Sequence, residues 1–246
     1  MKHIKPYSQL FENTQELTQE QKDWLDKCTS RNWWVNHQTG LVDVDGDFDC
    51  EDQGLRDFKG VRFGVIGESF WCYGNQLTSL EGAPQEVGGK FYGQGNQLTS
   101  LKGAPQKVGK DFDCSKNLLT SLEGAPQKVG NNFICNSNQL VSLKGSPQIV
   151  DGNFYCTRNP LTSLEGAPLM VAGTFYCSSN VISETAIERV LNRMSRNSIP
   201  LEQAVSEVWN DIPEKDRIYL AKHHPDLPPE ERRDYMALER HKKRLI

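Results

Sequence analysis

"GNQLTSLEGAPQEVGGKFYGQ", Gly74–Gln94, runs without a break into "GNQLTSLKGAPQKVGKDFDCS", Gly95–Ser115. The second stretch keeps the Asn, the leucines, the Gly, the Pro and the Phe of the first and lets the remaining positions drift. Phenylalanine returns at 70, 91, 112, 133, 154 and 175 and asparagine at 75, 96, 117, 138, 159 and 180, an interval of 21 residues. Leucine holds the same interval at 77, 98, 119, 140 and 161, with Ile182 closing the series, and again at 80, 101, 122, 143 and 164. Glycine recurs from 82 to 166 and proline from 84 to 168 in step. An imperfect earlier copy sets Phe48, Cys50, Leu55, Phe58 and Gly60 in similar roles, with one residue extra before Phe70. Repetition places similar groups at equal distances, which builds a surface; a catalyst needs dissimilar groups converging from distant parts of the chain.

Within each copy, F-x-C alternation sends Phe and Cys to one side and the residue between them to the other, as a strand with one buried face requires. Seven short strands, at Phe48 through Phe175, are therefore predicted. Gly and Pro within "EGAPQ" and "KGSPQ" supply turn geometry, and a near-regular GG, GK, GN or DG step precedes the strand. With two breakers per coil, the outer, convex side is expected to hold irregular turns, extended or 3₁₀, and no long helix. Cys72, Cys114, Cys135, Cys156 and Cys177 share one repeat position with Cys50, and Gly93 is the exception. Stacked at about 4.8 Å, these thiols form an internal column of small hydrophobes, expected reduced. Zinc needs four convergent ligands and there is no C-x-x-C, so neither metal nor cofactor is expected.

The segment F-x-C-x-x-N-x-L-x-x-L, as in Phe133, Cys135, Asn138, Leu140 and Leu143, resembles the leucine-rich repeat pattern, in its short, proline-containing bacterial form. The resemblance covers roughly Leu41 to Asn180. It implies a curved solenoid with parallel strands on a concave face that receives a partner, and an asparagine ladder satisfying backbone groups at each turn. The near-identical copies and small helical tail also resemble proteins of large bacterial viruses, which implies a host protein as partner and the host cytoplasm as location.

If invariant positions report on the fold, binding belongs to positions that vary. The outward strand residue reads Asp49, Trp71, Tyr92, Asp113, Ile134, Tyr155, Tyr176, and the residue before Phe reads Asp47, Ser69, Lys90, Asp111, Asn132, Asn153, Thr174. Beyond the strand follow Glu51, Tyr73, Gln94, Ser115, Asn136, Thr157 and Ser178, then Asp52, Gly74, Gly95, Lys116, Ser137, Arg158 and Ser179, and these columns are expected to line the concave face. Rigid amphipathic rings anchor protein interfaces, although aromatics also serve simply to cover neighbouring strands. The candidate partner-binding set is Asp47, Asp49, Trp71, Tyr73, Tyr92, Asp113, Ile134, Tyr155, Arg158 and Tyr176. The acidic run "DVDGDFDCED" superficially resembles a calcium loop, but its Gly is at the wrong position and flanking helices are absent. Its alternation with Val44, Phe48 and Cys50 predicts a strand edge with solvated acids, serving solubility or forming an acidic end of the binding face that steers a basic patch of a partner.

Residues 1–40 are expected to cap the first coil: Thr18–Cys28 reads as an amphipathic helix presenting Trp24 and Leu25, and the segment after Trp33 as a hairpin or strand. The solenoid spans 41–182. Residues 183–246 read as helices opened by Ser183, Pro200, Pro213 and Pro228, forming a cap, a second interaction module or a dimerisation element. Formal net charge is -4 with a pI near 5.8, so nucleic acid is not an expected partner. No stretch is apolar enough for a signal peptide or a membrane span, which points to the cytoplasm. No phosphate loop, G-x-S-x-G, H-E-x-x-H or acid–histidine pair is present, and no enzyme activity is expected. A protein-binding module leads; a structural or self-assembling repeat protein is the alternative, with nucleic-acid binding third.

Overall fold

The computed structural model describes residues 16–162 and 164–177; the expected helical unit 183–246 and the end of the last coil, 178–182, lie outside them. The chain winds as a β-solenoid. α1 (Gln19–Cys28), β1 (Trp33–Val35) and β2 (Val42–Val44) come first, followed by two short strands per coil. These are β3 (Phe48–Asp49) and β4 (Phe63–Ile66), β5 (Phe70–Trp71) and β6 (Glu86–Val87), β7 (Phe91–Tyr92) and β8 (Lys107–Val108), β9 (Phe112–Asp113) and β10 (Lys128–Val129), β11 (Phe133–Ile134) and β12 (Ile149–Val150), β13 (Phe154–Tyr155) and β14 (Met170–Val171), and finally β15 (Phe175–Tyr176). Odd-numbered strands from β3 to β15 form a seven-stranded parallel sheet. The even-numbered strands form a second sheet, parallel except where β1 joins β2 in an antiparallel hairpin.

The second sheet corrects the expectation of irregular turns on the outer side. Each P-Q-x-V step, P-L-M-V in the last copy, turns one residue outward and buries the next: Val87, Val108, Val129, Val150 and Val171 all lie in the core. Two alternating residues are too few to read as a strand in one copy; register across coils makes them one. α1 is the sole helix among the described residues, and the single-sheet frame that the leucine-rich repeat resemblance implies gives way to two sheets sharing one core.

Glycine permits the tight corners. Ala83 N–H donates to the Leu80 carbonyl at 3.0 Å with Gly82 at φ 86°, the left-handed position that a type II turn reserves for glycine. At the other corner a Cβ on Gly109 would lie 2.1 Å from the Gly88 carbonyl, so successive coils meet backbone to backbone.

Between the sheets runs a single file of phenylalanine rings. From Phe70 to Phe154 the centroids are 5.8, 5.0, 5.4 and 5.3 Å apart and the planes nearly parallel. Beside it stand the cysteines, all seven free and buried, with burial pushing the Cys50, Cys72, Cys114, Cys135 and Cys156 thiols well above their ordinary range. They are neutral packing groups.

The asparagine ladder implied by the resemblance is present. Asn117 Nδ2 donates to the carbonyls of Gly93, Cys114 and Ser115 at 3.0–3.1 Å, and its Oδ1 accepts from Leu98 N–H at 3.0 Å. Asn75, Asn96, Asn138 and Asn159 are likewise buried and bridge consecutive coils.

The extra residue before Phe70 is absorbed where β2 meets β4, whose register shifts between Val42 and Val44. Asp43 closes this irregularity: Oδ1 accepts from Val65 N–H at 2.8 Å and Oδ2 from Asn36 Nδ2 at 2.7 Å. Asp43 is consequently buried, which corrects the expectation that the acids of "DVDGDFDCED" are all solvated.

α1 packs on the first coil. Thr18 and Gln21 form a reciprocal capping box, which satisfies amide donors left open at a helix start. Trp24 meets Phe48 edge-on at 5.2 Å, and Thr29 bridges to Phe48, covering the sheet edge that would otherwise template another strand.

Candidate functional site

The strands bring most of the variable positions into one line. Asp49, Trp71, Tyr92, Asp113, Ile134, Tyr155 and Tyr176 occupy a single in-register row across all seven strands. From Asp49 to Tyr155 they are half-buried, and Tyr176, at 45% exposure, is open. Tyr155 and Tyr176 stack at 4.7 Å with planes 5° apart, so the facing sides of these two rings are used between coils. Tyr155 Oη accepts from Asn153 Nδ2 at 3.2 Å.

Asp113 sits mid-row with its Oδ1 accepting from Ser115 N–H at 2.8 Å. Burial raises its pKa, against the lowering effect of the Ser115 hydrogen bonds. Trp71 Nε1 and Gln94 Oε1 are closed to solvent and have no hydrogen-bond partner among the described residues. An orphaned buried donor or acceptor costs about 1–3 kcal/mol, and such groups call for an explanation.

The column before Phe turns out to be structural. Asp47 Oδ1 accepts from Ser69 N–H (2.8 Å), Ser69 Oγ from Lys90 N–H (3.2 Å), Asp111 Oδ1 from Asn132 N–H (3.1 Å), Asn132 Oδ1 from Asn153 N–H (2.9 Å) and Asn153 Oδ1 from Thr174 N–H (2.7 Å). This second side-chain ladder admits any short acceptor, which is why Asp, Ser and Asn alternate there without a fixed residue to betray it. Asp47 thus has a ladder role beside its place at the acidic end. Lys90, the exception, lies 3.6 Å from Asp111 and 5.4 Å over the Tyr92 ring. Its hydrogen bond to Tyr92, then Asp111, raises its pKa.

Asp52, Gly74, Gly95, Lys116, Ser137 and Arg158 all adopt positive φ, from 50° to 67°. That column is a left-handed turn along the edge of the row, and Arg158 projects from it exposed. At the first coil Glu51, Asp52 and Asp49 surround Tyr73. The hydroxyl's hydrogen bond to Glu51 is the main cause, with the other acids adding, that its pKa is pushed up to about 12. Glu51 and Gln94, which the sequence places in the column beyond the strand, lie two residues past Asp49 and Tyr92.

Elsewhere, a groove of about 790 Å³ borders the Gly-Ala-Pro corners, lined by residues such as Leu41, Arg62, Phe63 and Pro84 and by none of the candidate set. Among the described residues no group of three His, Cys, Asp or Glu converges to hold a metal ion, and no helix is long and apolar enough to cross a membrane. Comparison with family models, curated protein sequences and solved structures returned no match to this chain.

Proposed function

We propose that this chain is a protein-binding module, not an enzyme, that receives its partner on the outer row of the seven-stranded sheet. The observation that carries the reading is the row itself. Four of its seven positions are Trp or Tyr, in register with two half-buried carboxylates and one Ile. Amphipathic rings held rigidly by a sheet present contact area at little entropic cost on binding.

The test is affinity capture from a bacterial lysate on the intact chain and on a variant carrying Trp71→Ala, Tyr92→Ala and Tyr155→Ala, with circular dichroism used to match their folds. A protein retained only by the intact chain supports the reading. Equal retention by both removes the row from the interface.

A further inference from the structure

The row has dimensions and a polarity that together specify an occupant. Seven strands spaced at about 4.8 Å make it ~29 Å long, and three outward positions per coil make it ~13 Å wide. Its projected area, ~400 Å², is about half of the ~800 Å² per partner that a standard stable interface buries. A second copy of this face therefore gains too little for a stable dimer. A single extended chain of about nine residues, at ~3.3 Å each, matches the length and fills the width.

Charge sets the direction. Asp49, Glu51 and Asp52 crowd the first coil, where their combined field already acts on the Tyr73 hydroxyl. The face columns of the first two coils contain no base, and the next one, Lys90, is engaged by Asp111 and Tyr92. From Asn132 to Arg158 the same columns contain no acid. Resting on the protein-binding reading above, we infer that the occupant is an extended polypeptide segment of about nine residues, laid across the strands with a Lys- or Arg-bearing end over Asp49, Glu51 and Asp52. Its uncharged remainder runs over Ile134, Tyr155 and Tyr176. Tyr hydroxyls suit backbone amides and carbonyls. Stacked sugars or bases would need open ring faces, whereas Tyr155 and Tyr176 face each other and Lys90 lies over Tyr92, and a nucleic acid would also meet the carboxylates.

The test is selection of a displayed random nonapeptide library on the immobilised full chain, followed by titration of the synthesised winners. Expected winners carry Lys or Arg clustered at one terminus. Their affinity falls at least tenfold in an Asp49→Asn, Glu51→Gln, Asp52→Asn variant, falls with added salt, and is unchanged by Lys107→Ala with Lys128→Ala on the other sheet. Winners without basic bias that still lose binding on Tyr92→Ala with Tyr155→Ala overturn the charge polarity while leaving the face as the interface. Winners indifferent to both sets of substitutions overturn the face as well. Failure to enrich any peptide overturns the extended segment, and capture by the intact chain alone then decides independently whether the row binds a folded surface.

Discussion

The two sheets share a core, a repeat and a backbone, yet their outer rows differ in chemistry. On the eight-stranded sheet the row reads Val65, Glu86, Lys107, Lys128, Ile149 and Met170. Its charges find partners in neighbouring coils: Lys107 lies 3.3 Å from Glu86, and Lys128 2.9 Å from Asp151, with all four side chains substantially in water. On the seven-stranded sheet, rings and a desolvated carboxylate stand half-buried beside orphaned polar atoms. One row is complete as a solvated surface and the other is not. Since the backbone is common to both, the difference belongs to the side chains and points to what each row meets.

The largest expected effect falls on what both rows depend on. Asn117→Ala removes two N–H donors shared among three carbonyls and one accepted bond at a buried site, and a loss of about 3–5 kcal/mol in urea unfolding is expected. A loss under about 1 kcal/mol contradicts the ladder's role. Next, the Trp71, Tyr92 and Tyr155 triple alanine variant is expected to weaken partner capture at least tenfold, about 1.4 kcal/mol. Glu86→Ala with Lys107→Ala should leave capture intact, and a reversed pattern would exchange the roles of the two sheets.

Trp71→Phe separates ring from orphaned donor. It gives up some buried area but also removes Nε1, so stability within about 1 kcal/mol of the parent is expected, against the 3–5 kcal/mol typical of Trp→Ala in a core. A smaller effect still is expected of Asp113→Asn. Because burial raises the folded-state pKa of Asp113, its ionisation destabilises the fold as pH rises through that value. The variant should melt slightly higher at pH 7, with the difference shrinking toward acid pH as Asp113 protonates; a pH-independent difference excludes the charge as its origin. Smallest is Lys128→Ala, whose exposed ion pair is worth about 0–1 kcal/mol.

Much of this architecture is written at single positions of the repeat. Phe, Cys and Asn recur as fixed residues, and the ring file, thiol column and asparagine ladder follow from them directly. The second sheet was hidden because Glu86–Val87 and its copies offer only two residues of alternation, and pairing between coils is a non-local property. The second ladder was hidden for another reason. Asp47, Ser69, Asp111, Asn132 and Asn153 share an acceptor atom and not a residue identity, so variation there looked like freedom. The outward row was legible because strand alternation fixes which residues face away from Phe and Cys. The burial of Asp43 was not, since it depends on where one inserted residue is absorbed.

Hydroxyl-radical footprinting of the captured complex, read by mass spectrometry, tests the difference between the rows most directly. Oxidation of Tyr92, Tyr155 and Tyr176 is expected to fall on binding while Met170 and Trp34, on the other sheet, oxidise as in the free chain. Protection of Met170 and Trp34 with the tyrosines unchanged would place the partner on the eight-stranded sheet and contradict the proposed interface.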